Sequence, residues 1–180
     1  PAEPDAVTEG KLPRPEDRMG VYRALDRLRL QLDRMRSRRG GERTAAFIDA
    51  GALTDLLENR ADPRNPAARF WIGRSRLLMA RQEGEAAWPR KYRVEAFARA
   101  VRDFEAYHAL RPRDARAFDQ MNLARIESFE LAADAALLAA IEKSVATQVN
   151  LRLATGLGFA LRARARFAAG REAEGRADAK

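Results

Sequence analysis

Ala100-Val-Arg-Asp-Phe104-Glu-Ala-Tyr-His-Ala-Leu-Arg-Pro112-Arg-Asp-Ala-Arg-Ala-Phe118 is the stretch whose reading decides the fold. Upstream of Pro112, Phe97, Ala100 and Phe104 recur at spacings of three and four, which places them on one side of a helix. Pro112 cannot continue that helix, because it lacks an N–H and clashes with the preceding turn. Beyond it the apolar pattern resumes at Phe118 and Met121, so a second helix follows after a short break. The reading is therefore helix, tight turn, helix.

The same punctuation extends in both directions. Toward the N-terminus, Val21, Leu25, Leu28, Leu32 and Met35 form a narrow apolar seam, and the spacing predicts a helix from Pro15 or Glu16 to Arg39, stopped by Gly40-Gly41. Further helices are expected over 42–59, from Pro66 to about Met79, and over 92–110. The segment 82–91, with Gly84, Trp88 and Pro89, reads as a loop. Toward the C-terminus the pattern predicts helices over 115–129, 133–147 and 151–169, and the start of an eighth at Arg171. Residues 1–15 hold Pro1, Pro4, Pro13 and Pro15 and almost no large apolar side chain, so they are expected to form an extended tail before a helical domain over 16–180.

Composition agrees. The 180 residues include 37 Ala against 6 Val, 4 Ile and 5 Thr, a balance that favours helix and excludes an all-β fold. The absence of Cys excludes a disulfide framework, a thiol nucleophile and a Cys-based zinc site. A single His excludes any site that needs two imidazoles. No apolar run approaches the ~20 residues of a membrane span, so a soluble protein is expected, with periplasm and cytoplasm both compatible. The chain begins at Pro1 without Met and ends in a helix-favouring stretch, so residues beyond one or both ends are expected to be missing.

Successive helices with short breaks raise the question of a repeat. Ala100, Phe104 and Pro112 resemble the second helix of a tetratricopeptide unit, with its small residue, an aromatic four later and a Pro eight after that. Phe118 and Met121 fit the first two places of the following unit, while Asn122 and Arg125 stand where the family has Gly and an aromatic. Ile72-Gly73 and Leu157-Gly158 fit its Leu-Gly pair, with Arg69 and Ala154 in the leading aromatic place. Pro63 and Pro112 are 49 residues apart, against about 34 in the family, so the unit between them would carry an insert. The resemblance is clearest over 92–121 and absent over 1–40. It implies an all-α fold of antiparallel helical hairpins stacked as a short tetratricopeptide-like α-solenoid; an unrelated helical bundle is the other reading.

Catalytic chemistry finds little foothold. His108, the lone imidazole, has Asp103 and Glu105 near in sequence, but neither spacing makes a dyad with it. Thr155-Gly-Leu-Gly158 lacks the preceding strand and following Lys of a phosphate loop and reads as close helix packing. Glu127, Glu130 and Asp134 lack the His of a di-metal site. The expectation is no enzyme, no metal and no cofactor.

Charge supplies the functional reading. The net charge is +8, and residues 60–116 carry 14 basic and 7 acidic residues. Only four of the 34 basic residues are Lys; Arg dominance suits bidentate pairing with carboxylates, and a GC-rich genome explains it equally. The repeat resemblance implies a groove lined by the first helices of successive hairpins, here Arg69, Arg74, Arg76, Asn122, Arg125, Arg162 and Arg166. Few acids are expected nearby to neutralise these Arg residues. Trp88, in the loop, is expected to be an exposed partner anchor. The expected function is a non-catalytic scaffold or accessory subunit of a larger assembly that binds an acidic protein or peptide. The alternative is a helical repeat that binds the nucleic-acid backbone, using the same Arg residues with aromatics between them.

Overall fold

The structure, a computed structural model, describes residues 15–82 and 87–179, with side chains from residue 19 onward. The expected tail over residues 1–14 lies outside the described residues. Eight helices follow one another: α1 (Pro15–Ser37), α2 (Gly40–Arg60), α3 (Pro66–Ala80), α4 (Arg90–Leu110), α5 (Ala115–Ala132), α6 (Ala135–Asn150), α7 (Gly156–Ala168) and α8 (Glu172–Asp178). No strand occurs among the described residues, so the fold is all-α. None of their helices is long and apolar enough to cross a membrane.

The helix ends follow from local chemistry. Asn65, Asp114, Asp134 and Thr155 precede α3, α5, α6 and α7, and each side chain accepts a backbone N–H of the first turn. Two expected boundaries are corrected. Gly40-Gly41 does not lie between helices but opens α2, after a break of only Arg38-Arg39. The helix expected from Leu151 begins five residues later, because Arg152 turns into the left-handed region (φ 56°) and Leu153 N–H bonds back to Gln148 O. Thr155 then caps the new helix through Gly158 N–H.

Each helix packs on its successor, and α1 also packs on α3, α3 on α5 and α5 on α7. Three apolar clusters result. The α1 seam, Val21, Leu25, Leu28, Leu32 and Met35, is buried against Ala46, Ala50, Leu57 and Ile72. Phe97, Ala100 and Phe104 are completely buried with Phe70, Tyr107, Phe118 and Met121. Ile126, Phe129, Ile141, Val145 and Leu161 form the third.

Glycine matters where helices come closest. A Cβ on Gly73 would stand 3.1 Å from both Asp103 Cβ and the Phe104 ring, so α3 meets α4 backbone to side chain at this point. Gly158 plays the corresponding part, with a Cβ position 2.8 Å from Gln148 Oε1. The Gly-rich Thr155–Gly158 stretch is thus a helix cap joined to a close helix contact.

Candidate partner-binding site

An open cleft runs between α2 and α4 with α3 as its floor. Its apolar half encloses about 480 Å³ and is lined by Gly51, Thr54, Met79, Trp88, Tyr92 and Ala96, with Asp55, Glu95, Arg76 and Arg99 along the rim. Its polar half adds about 390 Å³ between Glu58, Arg69, Arg76, Arg99, Arg102 and Asp103. Arg76 and Arg99 line both halves, so the two are continuous.

Asp103 organises the polar half. It is buried, 4 % exposed, one residue before Phe104 on α4. Arg76 Nη1 donates to it at 2.5 Å and Arg69 Nη1 at 3.4 Å, while Arg76 Nη2 reaches Glu58 on α2 at 2.5 Å. One guanidinium therefore ties α2, α3 and α4 together. Burial pushes the Asp103 carboxyl above its ordinary range, against the pull of Arg76 and Arg69. Burial lowers Arg76, but the hydrogen bond to Glu58 and the charge of Asp103 outweigh it, and the net shift is upward. Desolvation and the two guanidinium hydrogen bonds thus act on this carboxylate in opposite directions.

Beneath the apolar half, the Thr54 hydroxyl lies 2.7 Å from Ala50 O and 2.7 Å from Ser75 Oγ, so its polar atoms are satisfied inside the floor. Glu95 pairs with Arg99 at 2.7 Å one turn along α4. Among the described residues, the Asp55 carboxylate and the Arg102 guanidinium form no ion pair, and both side chains belong to exposed residues. The cleft therefore has a free negative group near its aromatic end and a free positive group at the other.

The sequence-derived site residues divide into separate places. Arg69 and Arg76 come together on Asp103, as their seven-residue spacing implies. Arg74 faces elsewhere: its guanidinium lies 5.7 Å from the Trp71 ring, with Arg29 at 4.8 Å from the same ring. Burial and the nearby Arg36 lower its pKa, opposed by Asp33. Arg125 Nη2 bonds Glu105 on α4 at 3.0 Å, and its Nη1 lies 3.4 Å from Asn122 Oδ1; burial lowers the Arg125 pKa. Asn122 is fully buried. Arg162 and Arg166 converge on Asp178 of α8, and Arg166 also reaches Glu142 on α6.

Two expectations about these residues are corrected. Acids do neutralise Arg69, Arg76, Arg125, Arg162 and Arg166, but they come from other helices: Glu58, Asp103, Glu105, Glu142 and Asp178. Trp88 is half-buried rather than exposed, with its ring edge-on to Phe47 at 5.7 Å, and it walls the cleft instead of projecting from the surface. Glu127 and Glu130 meet Arg164 on α7, Glu127 also meets Arg81 just after α3, and Asp134 caps α6. His108 is half-buried and tilted against Phe118, with ring centroids 4.4 Å apart.

Tyr92, Arg99 and Arg102 are the site residues that sequence reasoning missed. Each lies on the solvent side of α4, and the spacings of seven and three that align them were present in the sequence. Nothing local signalled that α2 would supply the opposite wall. Comparison with protein-family models, with curated proteins and with solved structures returns no match.

Proposed function

We propose that this chain is a non-catalytic interaction scaffold or accessory subunit, built of antiparallel helical hairpins stacked as a short tetratricopeptide-like α-solenoid, that binds an acidic protein partner. The observation that carries the reading is the open α2–α4 cleft, whose polar half sets four Arg side chains against two carboxylates. Support for the stacked arrangement comes from helix packing that, among the described residues, is concentrated between each helix and the next and, for odd-numbered helices, the next but one. Contacts of this range are what stacked hairpins produce, since each unit touches only its neighbours. Ala100 and Phe104, the residues that carry the repeat resemblance, lie inside the helix interface as that resemblance requires.

The structure-wide pairing of Arg narrows the reading. Arg69, Arg76, Arg125, Arg162 and Arg166 are already engaged by carboxylates, so they shape and support the surface. The exposed Arg102, which forms no ion pair among the described residues, and Arg99, held only by its exposed neighbour Glu95, are the ones left to meet a partner.

The test is affinity capture of the full chain's partner from its native source, with and without nuclease, followed by titration of the purified partner against rising salt. An acidic protein retained after nuclease treatment, and released as salt rises, is the expected result. Retention that disappears with nuclease, together with steep salt-dependent binding to a random-sequence oligonucleotide, overturns the protein-partner reading in favour of nucleic acid.

A further inference from the structure

We propose that the α2–α4 cleft takes an extended segment of the partner in which an apolar side chain is followed, four to five residues later, by carboxylates. This rests on the scaffold reading above and goes beyond it by fixing the surface, the chemistry and the spacing. The surface is not the face formed by the odd-numbered helices. There, Trp71 is already covered by Arg29 and Arg74, and Arg81, Glu127, Arg164 and Glu130 pair with one another across α3, α5 and α7.

The occupant follows from the polarity of the cleft. Met79, Trp88, Tyr92 and Ala96 offer an apolar chamber open to solvent, and the Tyr92 ring stands exposed at its mouth. The charged lining of that end, Asp55 and Glu95 against Arg76 and Arg99, is balanced, and Asp55 forms no ion pair among the described residues, so this end offers a carboxylate no free cation and an acidic segment seats its apolar side chain here. The opposite end reverses this. Among the described residues Arg102 forms no ion pair, Arg69 holds Asp103 only at 3.4 Å, and the lining residues there sum to a positive charge. Glu58 and Asp103 are occupied by Arg76, which leaves Arg102, and Arg99 in exchange for its exposed contact with Glu95, to receive carboxylates.

Geometry sets the spacing. Tyr92 and Arg102 are ten residues apart on α4, roughly 15 Å at about 1.5 Å per residue. An extended peptide covers that distance in about four to five residues at ~3.3 Å each. A shorter separation would bring the carboxylate beside Asp55 and Glu95.

The experiment uses the full chain and a fluorescein-labelled peptide, Phe-Ser-Ser-Ser-Glu-Glu, read by anisotropy. Three companions replace Phe with Ser, replace both Glu with Lys, or move both Glu next to Phe. The site is mapped by the two Trp indole signals in NMR. The first peptide should bind best, with each companion weaker by about tenfold, and it should shift the Trp88 indole and not that of Trp71. Arg102→Glu and Tyr92→Ala change exposed side chains, so the fold is retained, which thermal melting checks. Each should weaken the first peptide about tenfold, and Arg102→Glu should favour the Lys peptide. Equal binding of the contracted peptide, or no effect of either variant, overturns the inference. So does absence of binding at millimolar peptide, or equal displacement by decanoate, which carries an apolar chain and a carboxylate without a peptide backbone. Binding that shifts the Trp71 indole overturns the cleft while leaving the scaffold reading intact; failure of the capture experiment removes the scaffold reading itself.

Discussion

Where α3, α4 and α5 meet, five buried rings do most of the joining: Phe70, Phe97, Phe104, Tyr107 and Phe118. Where α6, α7 and α8 meet, much of that role passes to polar groups. Gln148, fully buried on α6, donates to Asp119 on α5 at 3.2 Å, and Thr155 donates to the same carboxylate oxygen at 2.8 Å. Arg162 and Arg166 clamp Asp178, and Gly175 lies under the Phe167 ring. Both regions are all helix, but they fail differently. Apolar packing is lost in proportion to the volume removed, whereas a buried polar contact becomes a liability as soon as one partner goes.

The aromatic layer gives the largest expected effect. Phe104 is completely buried, 5.9 Å from Phe70 centroid to centroid, and packed against Gly73. Phe104→Ala should cost ~3–5 kcal/mol in urea unfolding, with the m-value unchanged. A loss under ~1 kcal/mol would mean that the layer collapses onto the space and is not the keystone of the fold.

Next comes the ion site that Asp103 builds beside that layer. Asp103→Ala leaves Arg69 without its carboxylate partner and Arg76 with Glu58 alone. Removing one member of a buried pair costs ~3 kcal/mol, and shielding by protein keeps that cost nearly the same at high salt. Asp103→Asn should cost less, since an amide oxygen still accepts. If the alanine variant matches wild type in 1 M NaCl, the contact behaves as a surface pair and the contrast between the two regions narrows.

Acid should separate the regions more gently. Asp114 precedes α5 and accepts from Arg116 and from the Tyr107 hydroxyl at 2.5 Å. Hydrogen bonding to Arg116 first, then to Tyr107, holds its carboxyl well below the ordinary range. A depressed folded-state pKa contributes stability above the unfolded value of about 4 and loses it as pH falls through and below that value. Unfolding measured from pH 6 to pH 2.5 should therefore show about 1 kcal/mol lost through this group, discounted for its contact with water. Asp114→Asn keeps a good helix cap and should flatten that part of the pH profile. An unchanged profile would assign the acid sensitivity to other carboxylates.

The same division governs what could be read from the sequence. Val21, Leu25, Leu28, Leu32 and Met35, and Phe97, Ala100 and Phe104, sit where their periodicity puts them, because burial of a helix face is written within a dozen residues. Arg69 and Arg76 could be placed on one side of a helix, yet their partner Asp103 lies 34 and 27 residues away on another helix. Counting nearby acids misses such a contact. The start of α7 was marked by Thr155, three residues before Gly158, but the apolar residues Leu151 and Leu153 masked it. Trp88 read as exposed because a loop usually is; its burial depends on Phe47 of α2. The cleft was illegible for the same reason, since its walls are 40 residues apart in the chain.

The smallest global effect should come from α8. Its seven residues are far too few for a helix that stands alone, so its order depends on docking. Asp178 supplies much of that docking: its side chain is 6 % exposed and receives three guanidinium hydrogen bonds, at 2.8, 2.5 and 2.8 Å. Asp178→Asn removes the charge while keeping one acceptor oxygen, so Arg162 loses its bidentate ion pair and keeps the Phe159 ring with at most one neutral hydrogen bond. Because α8 packs on α7 and on little else, its release should not drag the aromatic layer with it. Urea unfolding should shift by under ~0.5 kcal/mol. Hydrogen exchange should tell a different story, with amides of α8 opening at least about tenfold faster while those of α4 keep their protection. If α4 loses protection in step with α8, the two regions unfold as one unit, and the contrast between aromatic and polar joining is one of composition without being one of stability.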